Sequence, residues 1–139
     1  MKGIKTVLLV EDDTVDQQAV RRCFKELRVN NPLVITGNGE EGLRYLKDDF
    51  KERPYFILLD LKMPKMDGIE FLKVVKADQH LKRIPVVVFT TSNEEKDIVE
   101  SFNLGVAGYM VKPPAHDNFV NVVRTIDLYW SLSELPPPD

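Results

Sequence analysis

The chain has 139 residues, of which 43% are hydrophobic and 29% are charged, and its formal net charge at pH 7 is −3. This length fits one domain, and the composition excludes a disordered chain. The weakly acidic balance argues against a nucleic-acid binder, and the apolar stretch Thr6–Val10 is too short for a signal peptide or a membrane span. The single cysteine, Cys23, fits a reducing compartment. We therefore expect one cytoplasmic domain over 1–139, with a core at about 5–130 and a C-terminal tail at 131–139.

Short apolar runs rich in β-branched and aromatic residues predict five β-strands. The runs are Thr6–Val10, Leu33–Ile35, Phe56–Leu59, Val86–Phe89 and Tyr109–Val111. The segments between them have helical periodicity, so strand and helix alternate along the chain. This pattern predicts an α/β fold, a doubly wound (βα)5 parallel sheet with helices on both faces. The first, third and fourth runs are continuously apolar, which is typical of central strands, whereas Pro32 places the second run at an edge.

Three predicted helix starts match the capping-box pattern, in which Glu or Gln follows a polar capping residue by three positions. The pairs are Thr14 with Gln17, Asn38 with Glu41, and Ser92 with Glu95.

A polar side chain directly follows each predicted strand, although the second strand ends at Thr36 and contributes nothing ionisable. Glu11–Asp13 follow the first strand, Asp60 the third, Thr90 and Thr91 the fourth, and Lys112 the fifth. In an open parallel sheet the functional site lies beyond the carboxyl ends of the strands. If the first and third strands are neighbours, the acids converge on one cleft with a hydroxyl and an ammonium beside them.

This acidic cluster predicts a bound cation. Two unit charges about 4 Å apart repel by roughly 1 kcal/mol in water and about 4 kcal/mol at an effective dielectric constant near 20. An all-oxygen set with room for water suits Mg²⁺, and the absence of His and Cys from these strand ends argues against zinc. For Glu11, Asp12 and Asp60 we favour metal binding, while Asp13 or Thr14 caps the first helix.

Four segments together resemble the receiver domain of two-component response regulators. They read L-L-V-E-D-D, L-L-D-L-K-M-P-K-M-D-G, P-V-V-V-F-T-T-S and G-Y-M-V-K-P, in this order. The resemblance extends from Lys5 to about Trp130 and implies a flavodoxin-like fold with strand order 2-1-3-4-5.

The resemblance implies roles for the acids. Asp60 would be the phosphoacceptor, a carboxylate nucleophile that takes a phosphoryl group from a phosphohistidine. Asp12 would bind Mg²⁺ directly, Glu11 mainly through water, and the backbone carbonyl of Lys62 would complete the protein ligands. The Lys62 side chain, two residues beyond the acceptor, would shield the phosphoryl oxygens and slow hydrolysis.

The same resemblance implies a switch. Lys112 would hold one phosphoryl oxygen, and Thr90 would donate its hydroxyl to another after phosphorylation. Tyr109 would be the coupled aromatic that moves between outward and inward rotamers. Pro113 would follow a cis peptide bond.

The implied function is that of a stand-alone receiver, because no output domain fits within the chain. It would accept a phosphoryl group from a sensor histidine kinase or a phosphotransfer protein, with self-catalysed phosphotransfer and autodephosphorylation as its only chemistry. Two segments, L-K-R-I-P-V-V-V-F-T-T-S and Y-W-S-L-S-E-L-P, more narrowly resemble small regulators paired with phytochrome-type kinases.

The implied output surface is formed by the fourth helix, fifth strand and fifth helix, and we expect it to pair with a second copy. Charges including Asp97 would orient this homodimer, and Tyr129, Trp130 and Leu135 would supply apolar burial. The alternative for Trp130 is that it closes the core of the monomer.

Three other functions compete with this interpretation. A haloacid-dehalogenase-like hydrolase would need a second acid where Lys62 stands, and a flavodoxin-like cofactor binder would not place Glu11–Asp13 beside a phosphate. A degenerate receiver, acting as a phosphorylation-independent interaction scaffold, would have lost a site residue, and none is lost.

Overall fold

The computed structural model describes residues 5–133, which form one parallel five-stranded sheet with helices on both faces. The strands and α-helices are β1 (Val7–Val10), α1 (Thr14–Glu26), β2 (Leu33–Thr36), α2 (Gly39–Leu46), β3 (Phe56–Leu59), α3 (Gly68–Ala77), β4 (Val86–Thr90), α4 (Glu95–Asn103), β5 (Gly108–Val111) and α5 (Phe119–Leu132). Two short 3₁₀ turns lie at Leu81–Arg83 and His116–Asn118. The strand order is β2-β1-β3-β4-β5, which confirms the predicted fold.

The strand register brings the polar strand ends to one edge of the sheet. Val10 at the end of β1 pairs with Leu59 at the end of β3. Thr90 at the end of β4 pairs with Val111 of β5. The residues that follow these strands therefore begin at the same edge of the sheet.

The two faces of the sheet bury two separate apolar clusters because alternate strand residues point to opposite faces. Leu9 and Leu58 pack with the buried sides of α1 and α5. Leu8 and Ile57 pack with α2 and α3 on the other face. All four of these strand residues are at most 1% exposed, as expected for central strands of a doubly wound sheet.

The helix starts differ in part from the predicted capping boxes. The first helix is capped by the Asp13 carboxylate, which accepts hydrogen bonds from the N–H groups of Val15 at 2.8 Å and Asp16 at 3.0 Å. Of the two candidates, Asp13 is therefore confirmed as the cap, and the predicted capping box of Thr14 with Gln17 is wrong because Thr14 is already the first helical residue. The full capping box of the described chain pairs Asp67 with Glu70 at the start of α3.

The other two predicted caps have different outcomes. Asn38 does cap α2, since its side chain accepts from the Glu41 N–H at 3.0 Å. The Ser92 prediction is wrong, because α4 begins after Glu94 and Ser92 instead donates its hydroxyl to Asp97.

Trp130 closes the core near the end of α5. It is 6% exposed, and its ring stacks on Phe56 with 5.3 Å between centroids. Its carbonyl accepts a hydrogen bond from the Tyr55 hydroxyl at 2.9 Å. The alternative role in the monomer core is thus confirmed, whereas Tyr129 is 59% exposed and Leu135 lies outside the described residues.

Within residues 5–133, no helix has the length and apolar character needed to cross a membrane.

The peptide bond before Pro113 is trans, because residues 5–133 contain no cis peptide bond. The predicted cis bond at this position is therefore wrong. For an X–Pro bond the trans form is favoured by only about 0.5–1 kcal/mol, so the local sequence does not decide between the two isomers.

Candidate functional site

Carboxylates from two neighbouring strand ends form a cluster beyond β1 and β3. Oxygen atoms of Glu11, Asp12 and Asp60 lie within 4.8 Å of one another. Glu11 and Asp60 are buried at 1% and 6% exposure, while Asp12 is exposed. The structure therefore brings together the three acids that the sequence selected, and it leaves the cluster open to solvent on the Asp12 side.

Close backbone packing positions Asp60. Its N–H donates to the carbonyl oxygen of Val10 at 3.0 Å, which continues the β1–β3 ladder by one residue. A Cβ atom on Gly68 would lie 2.3 Å from the Asp60 carbonyl oxygen, so only glycine lets α3 begin this close to the site.

Lys112 from the end of β5 is buried within the acidic cluster. Its Nζ lies 2.5 Å from Glu11 Oε1, 2.6 Å from Asp16 Oδ2 and 3.4 Å from Asp60 Oδ2. Burial alone would lower the pKa of Lys112, but the charge of Asp60 and the hydrogen bonds to Asp16 and Glu11 raise it above its ordinary value. The site thus holds a permanent positive charge.

The single ammonium of Lys112 does not neutralise the negative charge of the acidic cluster. Burial, followed by the charge of Asp60, raises the pKa of Glu11 to about 8, although Lys112 opposes the shift. A cation bound beside this carboxylate would favour its ionised form, so the site is suited to bind further positive charge. The donor set consists of hard oxygens, which fits Mg²⁺ or Mn²⁺, and the oxygens of Glu11, Asp12 and Asp60 could hold such an ion. The observed contact of Lys62 is its N–H, 3.4 Å from Asp60 Oδ1, and the role of its carbonyl stays a prediction.

Thr90 and Tyr109 are linked through the segment after β4. Thr90 is fully buried, and its Oγ1 accepts from the Ser92 N–H at 3.4 Å. The hydroxyl of Tyr109 donates to the Ser92 carbonyl oxygen at 2.9 Å. Burial raises the pKa of Tyr109, so the phenol remains protonated and able to donate. The two residues predicted to form a switch therefore share one neighbour.

Asp97 is a buried part of the same region. It is 5% exposed, accepts from the Ser92 hydroxyl at 2.5 Å, and lies 3.2 Å from Lys62 Nζ. These hydrogen bonds, with that of Ser92 the stronger, keep the pKa of Asp97 below its ordinary value. The expectation that Asp97 is a surface charge available to a second copy is wrong, because its carboxylate is already satisfied inside the monomer.

Sequence reasoning missed Asp16 and His116. Asp16 is 9% exposed, and its Oδ1 lies 2.6 Å from His116 Nε2. Helical spacing could have indicated that Asp16 is buried. It stands three, four and seven residues before Ala19, Val20 and Cys23, so it lies on the same buried face of α1.

Comparison with known proteins identifies the family. Residues 7–124 match the family model described as the response regulator receiver domain. The chain belongs to the receiver domain family of response regulators. Response regulator Rcp1 of Synechocystis sp. is 37% identical over 130 residues, which are 91% of this chain and 88% of that protein. Chemotaxis protein CheY-3 of Vibrio cholerae is 35% identical over 111 residues, 77% and 79% of the two chains.

Solved structures of receivers agree with the fold. The phosphorylated cyanobacterial phytochrome response regulator RcpA matches with a TM-score of 0.90 at 35% identity, covering 97% of this chain and 100% of that one. The Mn²⁺-bound form of response regulator Rcp1 matches with a TM-score of 0.87 at 36% identity, covering 96% and 99%.

Membership of the receiver family decides between the competing classes. Receiver domains of response regulators are signalling proteins, and the family match removes the hydrolase and the cofactor binder as alternatives. The interaction scaffold is itself a receiver, so it stays open as the second candidate.

Proposed function

We propose that this chain is a phosphorylation-dependent response regulator that accepts a phosphoryl group onto Asp60. The observation that carries the proposal is the environment of its carboxylate, which is 6% exposed, lies within the acidic cluster and faces the Lys112 ammonium at 3.4 Å. Receiver domains accept phosphate from histidine kinases, so the donor is the phosphohistidine of a sensor histidine kinase or of a phosphotransfer protein.

The chain's own residues supply most of the required chemistry. A carboxylate oxygen of Asp60 attacks phosphorus while the bond from phosphorus to the donor imidazole breaks, and the resulting acyl phosphate carries added negative charge beside Lys112. Thr90 donates its hydroxyl to a second phosphoryl oxygen. A Mg²⁺ ion held by Glu11, Asp12, Asp60 and the Lys62 carbonyl would balance charge on the transferred group. The phosphorylated form of RcpA and the Mn²⁺-bound form of Rcp1, both similar to this chain, support this assignment by similarity.

We further propose a phytochrome-type kinase as the donor. RcpA is described as a phytochrome response regulator, and it matches this chain over nearly the whole of both lengths. This choice is tested with a panel of phosphorylated histidine kinases from the same organism. Each is incubated with this chain alone and in competition with the others, and phosphoryl transfer is measured at short times. Preferential transfer from a phytochrome-type kinase is expected, and equal transfer from unrelated kinases would contradict it.

The output surface we propose is formed by α4, β5 and α5. The path from Thr90 through Ser92 to Tyr109 joins the site to β5, and the hydrogen bond from Ser92 to Asp97 joins it to α4. Exposed apolar side chains on these elements include Val99 and Phe102 on α4, each 50% exposed. Burial of such groups on phosphorylation would hold a homodimer, while exposed ion pairs contribute only about 0–1 kcal/mol each.

Sedimentation with and without beryllofluoride, a phosphoryl mimic, tests the dimer. Phe102→Ser is expected to abolish the association that beryllofluoride induces. Phe50→Ser is the matched control, since Phe50 is 98% exposed but lies between α2 and β3. A wild-type chain that stays monomeric in both states would contradict the dimer and favour contact with a different protein.

The scaffold alternative predicts different behaviour. A scaffold would bind its partner equally well with Asp60 or Asn at this position, and it would not need Mg²⁺. Partner binding that depends on both would support the proposal.

A further inference from the structure

We propose that Asp16 and His116 form a positioning pair that competes with the phosphoryl group for Lys112 and so weakens the phosphorylated state. The inference rests on the proposed function of Asp60 and Lys112. It assigns a role to two residues outside the proposed set of acceptor, metal ligands and switch.

The contacts of Lys112 show where the competition arises. An ammonium has three N–H donors, and here its nitrogen faces three carboxylates. The short contacts go to Glu11 at 2.5 Å and Asp16 at 2.6 Å, whereas Asp60 lies at 3.4 Å. A phosphoryl oxygen on Asp60 would take the N–H donor that now faces Asp60, and it would share the positive charge of Lys112 with the two shorter contacts.

Asp16 differs from Glu11 in its position relative to the site. Glu11 belongs to the acidic cluster with Asp12 and Asp60, whereas Asp16 projects from the first turn of α1 and contacts the cluster through Lys112. Hydrogen bonds to a charged group are the stronger ones, particularly where water is excluded, and the Lys112 side chain is only 4% exposed. Asp16 thus adds negative charge that opposes an incoming anion and holds the ammonium that would attract it.

His116 orients the Asp16 carboxylate. Its Nε2 lies 2.6 Å from Asp16 Oδ1, so the ring nitrogen donates and the other oxygen, Oδ2, faces Lys112. The imidazole is itself held in place by Phe119, with 4.9 Å between ring centroids, and Phe119 is 2% exposed. Because the 3₁₀ turn at His116–Asn118 follows β5, this contact ties the segment after Lys112 to α1.

Equilibrium titration with beryllofluoride at saturating Mg²⁺ and fixed pH, followed by ¹⁹F NMR, tests the pair. Asp16→Asn keeps the shape and an oxygen acceptor but removes the charge, and it is expected to tighten binding roughly three- to tenfold, about 0.7–1.4 kcal/mol. A merely structural role would give the opposite sign, because a loosened site binds the mimic more weakly. Asp117→Asn, which removes an exposed charge beside His116, is the matched control and is expected to match wild type.

The double-mutant cycle tests the coupling between the two residues. His116→Ala is expected to tighten binding by less than Asp16→Asn does, and to add nothing in the Asp16→Asn background. Thermal melts of each variant verify that it is folded. Asp16→Glu, which keeps the negative charge, is expected to bind beryllofluoride with an affinity closer to wild type than Asp16→Asn does.

The outcomes separate this inference from the proposed function. If the wild-type chain binds beryllofluoride but folded Asp16→Asn binds it equally or more weakly, the positioning pair is overturned and the proposed function stands. If the folded wild-type chain itself fails to bind beryllofluoride, the proposed function fails and this inference fails with it.

Discussion

The ammonium of Lys62 lies 3.2 Å from the Asp97 carboxylate, which ties the segment after β3 to the first turn of α4. Lys62 stands two residues beyond Asp60, and Asp97 also accepts from the Ser92 hydroxyl. The side chains differ greatly in exposure, 55% for Lys62 against 7% for Asp97. One exposed lysine thus connects the proposed acceptor segment with the region that contains Thr90 and Tyr109.

Substitution of Lys62 is expected to change the phosphoryl lifetime more than the stability. Lys62→Ala should alter the free energy of unfolding by no more than about 1 kcal/mol, because the lysine is half exposed and such pairs contribute little. It should accelerate dephosphorylation, since the ammonium that can shield the phosphoryl oxygens is removed. Lys65→Ala, an exposed lysine of the same segment, is the control. Unchanged dephosphorylation rates in both Lys62→Ala and Lys62→Glu would show that the shielding role is wrong.

Asp12→Ala is expected to weaken Mg²⁺ binding sharply. The exposed Asp12 completes the oxygen cluster with Glu11 and Asp60, and its removal also relieves repulsion within that cluster. The metal-free variant should therefore melt at the same temperature as wild type or higher, but gain less stability from Mg²⁺. Thermal melts with EDTA and with Mg²⁺ measure both effects. An unaltered Mg²⁺-induced shift in the variant would contradict the assignment of Asp12.

The stability of the metal-free protein should fall as the pH rises from about 4.5 to about 8. Burial and the charge of Asp60 raise the pKa of folded Glu11 from 4.5 to about 8, so the folded state binds this proton more tightly than the unfolded chain does. The stabilising contribution is complete below the unfolded pKa and is lost as the pH passes through the folded one.

Urea unfolding in EDTA across this pH range measures the effect. Glu11→Gln should flatten the pH dependence, because its amide does not titrate. Glu95→Gln, at an exposed acid of α4, should leave the slope as in wild type. Equal slopes in wild type and Glu11→Gln would contradict the prediction.

Trp130→Ala is expected to destabilise the monomer by about 3–5 kcal/mol, the usual cost of truncating a buried aromatic side chain to alanine. The indole is 6% exposed and stacks on Phe56, so its loss leaves a cavity between α5 and the sheet. Chemical denaturation measures the loss, and Tyr129→Ala, 59% exposed, is the neighbouring control. A loss below about 1 kcal/mol would show that Trp130 does not close the core.

The sequence predicts most of this architecture because strand runs and strand ends are local features. Asp60 and Lys112 could be placed in one cleft once the strands were known to be parallel, since their positions follow from topology alone. Asp16 was missed because an acid in the first turn of a helix has an ordinary explanation in the helix dipole. Only the three-dimensional packing shows that it faces Lys112.

The same limit explains the errors around α4. Ser92 and Glu95 have capping-box spacing, but the helix begins later and the Ser92 hydroxyl bonds the buried Asp97. Burial of a charged side chain depends on partners distant in the sequence, here Lys62, and no local pattern reveals it.

Phosphoryl incorporation into Asp60 tests the central claim most directly. Wild type and Asp60→Asn are incubated with a radiolabelled small phosphodonor, acetyl phosphate, in the presence of Mg²⁺, and the retained label is measured together with the thermal melt of each protein. Asp49→Asn, at an exposed acid before β3, is the control. We expect labelling of wild type and the control, and none of a folded Asp60→Asn, whose amide keeps the shape but cannot attack phosphorus. Equal labelling of folded Asp60→Asn and wild type would contradict the assignment of Asp60 as the acceptor.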